Sequence, residues 1–154
     1  MVVWSICYHI IYNETLCDRM CAVSNKTHYN EMNVLSMHAL IGAYQPQGYE
    51  WVDELNQVLA GNIEYFCTYA EKHWKGVAFS RPQGTYMVFL DCTEWCREHG
   101  RDIQWLLDEG ARVGVGYQDG RPFHGPCHIR VNLALPLSRV KEACDRLDRY
   151  VFGV

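Results

Sequence analysis

The sequence predicts an α/β fold of the α+β kind, a small mixed sheet with helices packed against it, and three stretches carry that prediction. In the first, Trp51, Leu55, Val58, Leu59, Ile63, Phe66 and Ala70 recur at spacings of three and four, with Asp53, Glu54, Gln57, Glu64 and Glu71 between them. That is the pattern of a long helix with one apolar face. In the second, His128 to Pro136 alternates: Ile129, Val131, Leu133 and Leu135 fall on one side of an extended chain and Arg130, Asn132 and Ala134 on the other. In the third, Val140, Ala143, Cys144, Leu147, Tyr150 and Val151 form a stripe at helical spacing.

Taken in order, Ser5 to Tyr12 is apolar and aromatic and reads as a strand that normally has neighbours. Glu14 to Met32 is polar and without period, and a linker is expected around Cys21 to Asn30. Val34 to Tyr44 reads as a short helix, broken by Pro46 and Gly48, and the long helix follows from Tyr49 to about His73 or Gly76. Gly61 weakens that helix slightly, at a cost of about 1 kcal/mol against alanine. Val77 to Phe79 and Thr85 to Asp91 are strand candidates flanking an Arg81 to Gly84 turn, and are expected to pair as a hairpin. Arg101 to Glu109 is a helix that Gly110 stops, and Val113 to Tyr117 is a strand of alternating Val and Gly. A Gly- and Pro-rich loop from Gln118 to Gly125 then leads into the arginine strand. The last helix starts at Leu137 or Ser138, with Ser138 as its expected N-cap.

With 154 residues, 49% hydrophobic and 21% charged, the chain is one domain's worth of globular protein. A chain of that size buries roughly 70% of the surface its unfolded form exposes. The formal charge of -4 and the lack of a clustered basic face argue against nucleic acid or an anionic membrane as partner. Met1 to Tyr12 lacks the basic start of a signal peptide, and no apolar run approaches the ~20 residues of a membrane-spanning helix. The eight cysteines form no C-x-x-C pair and mostly sit in apolar stretches, where cysteine behaves as a small hydrophobe, so the expected location is a reducing cytoplasm.

The residue with the sharpest chemical implication is Arg130, a guanidinium in the middle of an otherwise apolar strand. Its planar fork suits a carboxylate, which it can grip through two parallel hydrogen bonds. The bland reading of the same residue is a solvated sheet face or an ion pair with Asp or Glu. The histidines are scattered, with no i, i+4 pair to grip a metal, so no metal is expected; His124, in the loop before the arginine strand, is the one placed near it.

Four segments together resemble the C-terminal part of a fold-type-I, pyridoxal-phosphate-dependent enzyme of the class I/II aminotransferase family, in its cystathionine β-lyase (C-S lyase) branch. They are Asn33-Val34-Leu35-Ser36 with Ala43-Tyr44; Gly48 to Asp53 with Asn62; Pro82-Gln83-Gly84-Thr85-Tyr86 with Leu90-Asp91-Cys92; and Gly120 to Gly125 followed by Arg130-Val131-Asn132 and Pro136. Their order and spacing fit the family across nearly the whole chain. The resemblance implies the small-domain fold of such enzymes over residues 31–154, with residues 1–30 as a strand and linker left from the large domain. It also assigns Arg130 to the α-carboxylate of an amino-acid substrate, and it places Gly84, Thr85 and Tyr86 near the substrate entrance.

The family also requires a cofactor-holding lysine, an aspartate for the pyridine nitrogen and phosphate-binding groups, all supplied by a large domain. Lys26, in Ser24-Asn25-Lys26-Thr27, imitates a lysine motif but lies on the wrong side of the first strand, in a polar stretch, and reads as solvated. The resemblance thus implies pyridoxal 5'-phosphate in the intact enzyme and none on this chain by itself. The expected function is that of a C-terminal fragment of an aminotransferase or C-S β-lyase, inactive alone, whose intact form is a homodimer. The alternative is a non-catalytic amino-acid-binding or regulatory module. Under the fragment reading, Leu16, Val34, Leu35 and parts of the long helix expose apolar surface that the large domain would cover.

Overall fold

The structure is a computed structural model that describes residues 9–28 and 33–153, and it divides into two compact units, residues 1–53 and 54–154. In the first unit, residues 9–13 carry no strand, and Ser5 to Tyr8 of the expected strand lie outside the described residues. The polar stretch after them is a helix, α1 (Glu14–Thr27), where a linker was expected over Cys21 to Asn30. Its start is fixed by Asn13, whose side chain accepts from the Leu16 N–H at 2.9 Å, and its end by His28 in the left-handed region. No residue of α1 is buried, which is why no apolar period marks it in the sequence.

The short helix is present as α2 (Val34–Ala43), capped by Asn33 accepting from the Ser36 N–H at 2.8 Å. Leu16, Val34 and Leu35 are exposed, as are Met37 and Ile41, and Ser36 alone on α2 is buried. A helix apolar all round is one built to be enclosed. The long helix, α3 (Pro46–His73), starts earlier than its period suggests. Pro46 opens it instead of breaking the previous one, since the first helical position has no intrahelical use for an N–H.

In the second unit a three-stranded antiparallel sheet has the order β1 (Met87–Asp91), β3 (His128–Asn132), β2 (Gln118–Asp119), so the arginine strand is central. The fold class is α/β, with helices on a small sheet, as the sequence indicates, but both pairings of the described strands are antiparallel where a mixed sheet was expected. The expected hairpin of Val77–Phe79 with Thr85–Asp91 reduces to one bridge, Ala78 with Asp91, because β1 takes β3 as its partner, with Phe89 opposite Arg130. The expected strand Val113–Tyr117 is absent: Gly114 takes a positive φ of 76° there, and pairing begins only at Gln118.

A helix that the sequence reading missed, α4 (Thr93–His99), follows β1 directly and buries Trp95 and Cys96. Next comes α5 (Ile103–Arg112), capped by Asp102 and continuing through Gly110. Gly110 does not stop the helix; it is where the Tyr117 ring lies against it, so close that a Cβ would sit 2.5 Å from that ring. The last helix, α6 (Leu137–Leu147), has Pro136 at its cap position, leaving Ser138 inside, and runs into a wider turn over Asp148–Phe152.

The core of this unit sits between the inner face of the sheet and the helices. Leu90, Ile129 and Leu133 meet Phe66 and Trp74 near the end of α3, Trp95 of α4, Leu106 of α5 and Leu147 of α6. Leu135 departs from the expected alternation, being about half exposed beyond the end of β3.

Asn62 ties the end of that strand to α3. Its buried side-chain N–H group donates to the Leu133 carbonyl at 2.9 Å and to the Leu135 carbonyl at 2.7 Å. Replacing it with Leu leaves these carbonyls without that donor, and Asn62→Leu is expected to lower the unfolding free energy by about 1–3 kcal/mol. A urea titration checks it, through a lower midpoint at unchanged slope.

Candidate functional site

The β2–β3 connection builds the surroundings of Arg130. Asp119 accepts from the Arg121 N–H at 2.9 Å and from its Nε at 2.7 Å, which turns the chain into a single 3-10 turn over Arg121–Phe123. The Arg121 side chain holds the Asp119 carboxyl below the usual carboxylate range. Gly125 then passes so close to β3 that a Cβ would sit 2.6 Å from that of His128, so only glycine fits the return.

That turn brings Phe123 beneath Arg130: the guanidinium carbon lies 3.9 Å from the ring centroid. Gln118 stands opposite Arg130 in the β2–β3 register, so the two side chains share a face. Arg130 Nε donates to Gln118 Oε1 at 2.7 Å, and Nη2 donates to the same oxygen. The fork is thus held over an aromatic ring and engaged by a neutral amide oxygen. Among the described residues no carboxylate forms an ion pair with it, since Asp119 is taken by Arg121, and Asp91 by the Thr93 N–H and hydroxyl.

The alternation of β3 is carried by burial: Ile129 and Val131 face the core, while Arg130 is half-buried and Asn132 exposed on the other side. On that outer face the His128 ring lies tilted against Phe89, centroids 4.6 Å apart, with its Nδ1 3.8 Å from the Asp91 carboxylate. His124 closes the 3-10 turn in the left-handed region and is exposed.

Gly84, Thr85 and Tyr86 lie elsewhere. With Pro82, Arg81, Asn56 and Leu59 they line an open cleft of about 390 Å³ that does not include Arg130. Thr85 takes a φ of 75°, a left-handed conformation that a β-branched residue rarely adopts. Strain of that kind persists only where surrounding structure holds it. A second cavity of about 340 Å³, more apolar, lies between β3 and α6 and is lined by Phe66, Val115, Val131 and Leu133 among others, again without Arg130.

Gln118 and Phe123 are the site residues that sequence reasoning missed; the available signal was an aromatic residue inside a Gly- and Pro-rich loop. The fork is suited to a carboxylate: two N–H groups now share one neutral oxygen, and an anion placed there gains charge-assisted bonds in exchange. The lysines Lys26, Lys72, Lys75 and Lys141 are all exposed, so Lys26 is the solvated residue it was expected to be. Lys72, Lys75 and Lys141 belong to α3, the residues just after it and α6, not to the β2–β3 connection that surrounds the Arg130 fork. No helix among the described residues is long and apolar enough to cross a membrane.

No family model matches the chain. It is similar to a protein of Mycobacterium leprae named "Putative cystathionine beta-lyase", 33% identical over 118 residues, which is 66% of this chain and 28% of that protein. The chain therefore spans under a third of the length of that relative. In fold it is similar to the pyridoxal-phosphate-bound C-S lyase from Staphylococcus hominis, with a TM-score of 0.75 and 26% identity, over 90% of this chain and 36% of that one. It is similar too to cystalysin from Treponema denticola, which contains pyridoxal 5'-phosphate, with a TM-score of 0.76 and 22% identity, over 91% of this chain and 35% of that one. The resemblance read from the residues is borne out by sequence and by fold.

Proposed function

Given its kinship in sequence and fold with pyridoxal-phosphate-dependent C-S lyases and aminotransferases, we propose that this chain is the C-terminal small domain of such an enzyme, in which Arg130 grips the α-carboxylate of an amino-acid substrate. The observation that carries the reading is the Arg130 fork, pinned on Phe123 and free of any acidic partner among the described residues. When bound, pyridoxal phosphate supplies the electron sink for bond cleavage at Cα. The rest of the enzyme would hold it, with residues 1–30 joining that part to the small domain in residues 31–154.

What this chain contributes is orientation. A carboxylate held through two parallel bonds cannot rotate, so the Cα substituents of the substrate keep fixed directions, and positioning of this kind lowers the barrier without any proton transfer by Arg130. Gln118 holds the fork in its plane until the carboxylate takes its place. The Gly84, Thr85 and Tyr86 turn borders the substrate entrance. The exposed apolar side chains of α2 and of the first turns of α3 are those that the large domain covers, and the intact enzyme is a homodimer in a reducing cytoplasm, which agrees with cysteines that are free throughout the described residues.

The test is to graft residues 31–154 in place of the corresponding part of the Staphylococcus hominis C-S lyase and to measure thiol release from a C–S-bonded amino acid. Activity that is lost on Arg130→Ala supports the reading; a folded, cofactor-loaded graft whose activity ignores Arg130 sinks it.

Gln118 gives a second handle on the same site. Gln118→Glu puts a permanent carboxylate where the amide oxygen now sits, 2.7 Å from Nε. It is expected to weaken binding of an α-carboxylate ligand roughly tenfold, or about 1.4 kcal/mol. Titration of the graft with an unreactive amino acid checks this, and Gln118→Ala should leave the fork open.

A further inference from the structure

The turn that leads into β1 carries its strain on the less suited of two neighbours. Thr85 takes a φ of 75°, while Gly84, which would adopt such a backbone freely, does not. For a β-branched residue the left-handed region is disfavoured by its own Cβ. Local turn chemistry does not supply the restraint, because among the described residues no backbone-to-backbone hydrogen bond reaches residues 82–85. The turn is held from its two ends.

At the far end the Tyr86 carbonyl accepts from the Leu133 N–H at 2.9 Å, which fixes the chain where β1 begins. At the near end stands Arg81, and α3 presents Glu64, Thr68 and Glu71 to it from one stripe, spaced four and three residues apart. Arg81 Nε and Nη2 donate to the two oxygens of Glu71 at 3.0 and 2.8 Å. Nη1 donates to Glu64 Oε2 at 2.6 Å, and Nη2 also donates to the Thr68 hydroxyl at 3.3 Å. That hydroxyl donates in turn to Glu64 Oε1 at 3.0 Å.

An isolated ion pair on a surface contributes little. Here each nitrogen of the guanidinium has an acceptor, and the two bonds to Glu71 run in the parallel arrangement that fixes a plane. The hydrogen bond from Arg81 also holds the Glu71 carboxyl below its usual range, so the pair is ionised at neutral pH. Pro82 follows at once with its φ set by the ring, and the direction taken at Arg81 passes into the turn.

We propose that Arg81 is a positioning residue: by locking its end of the turn to α3 it holds Thr85 in the left-handed conformation and so sets the wall of the cleft that Gly84, Thr85 and Tyr86 line. Glu64 and Arg81 belong to that wall themselves. The consequence for the reaction rests on the reading of this turn as the border of the substrate entrance. Arg81 shapes the opening through which the amino acid passes, and acts through the turn, not on the reacting atoms.

The first test uses the full chain. In Arg81→Gln the NMR backbone shifts of Thr85 are expected to move toward those of an extended residue, while those of Arg130 and Gln118 stay in place. Glu71→Gln, which weakens the same contact from the α3 side, should move them in the same direction and serves if Arg81→Gln does not fold. The fall in urea midpoint caused by Arg81→Gln is expected to be larger in a Thr85→Gly background, since only threonine is relieved of strain when the turn lets go.

The second test uses the grafted enzyme. Arg81→Gln is expected to raise KM roughly fivefold with kcat within about twofold of the parent. In a Thr85→Gly background the same change should move KM little, because glycine takes the conformation without strain. Thr85 shifts that ignore Arg81, a KM that does not rise, or a rise of equal size in both backgrounds each overturns the proposal. A graft whose activity ignores Arg130 sinks the substrate reading instead, and the Thr85 shifts then decide the positioning role by themselves.

Discussion

Trp95→Ala is expected to be among the most destabilising single substitutions in residues 54–154, lowering the unfolding free energy by about 3–5 kcal/mol. The side chain is 1% exposed. Its ring stacks on His99 at 4.3 Å and on Trp105 at 5.7 Å, and Phe152 meets it edge-on at 5.5 Å. Its Nε1 also donates to the Phe152 carbonyl at 3.3 Å. Truncation therefore removes the contact between α4 and the C-terminal turn and leaves a cavity that three aromatic rings cannot all close. Trp95→Phe separates the terms: it keeps most of the stacking and loses the hydrogen bond, and should cost much less. Urea unfolding of the three proteins measures the difference, and an alanine variant within 1 kcal/mol of the parent would show that the corner repacks freely.

The second large effect concerns activity. In the grafted enzyme, Arg130→Lys is expected to lower kcat/KM by about 10²–10³-fold, or about 3–4 kcal/mol, the scale of two hydrogen bonds between charged groups. Lysine retains the charge but offers a point where arginine offers a plane, so it can neither cover the Phe123 ring in the same way nor present two parallel donors. A structural explanation of such a loss is separable from a binding one. An amine substrate without the carboxylate should react equally slowly with both proteins if Arg130 acts through that group, and stability should change little, because Arg130 is half-buried and outside the core. Retention of full activity in the lysine variant would remove the carboxylate role.

How much of this was legible depends on whether burial leaves a period in the chain. Helix α3, the central strand and α6 each bury one face and were visible for that reason. Helix α1 buries nothing, so its polar sequence carried no stripe, and what fixes it is a single cap at Asn13. Helix α4 is two turns long and buries Trp95 and Cys96, too short a run to repeat. The Val and Gly alternation at Val113 to Tyr117 imitated a strand, yet glycine brings no side chain to a pleated surface, and Gly114 uses its freedom to turn away.

The expected hairpin failed for a different reason. Strand pairing was inferred from a nearby turn, whereas β1 finds its partner across two helices, which no local signal encodes. At the site, Arg130 announced itself as a charge in an apolar run. Gln118 and Phe123 did not, because their roles come from the cross-strand register and from a turn set by Asp119.

Arg130 stands on a strand bonded along both edges, and this limits how such a domain can diversify. Sliding that strand by one residue would turn the guanidinium inward and every core side chain outward, so the fork's location is effectively frozen. Tolerance for new ligands must instead accumulate in the replaceable pieces around it, an amide on a two-residue strand and an aromatic ring on a surface turn, which can change without disturbing the sheet beneath.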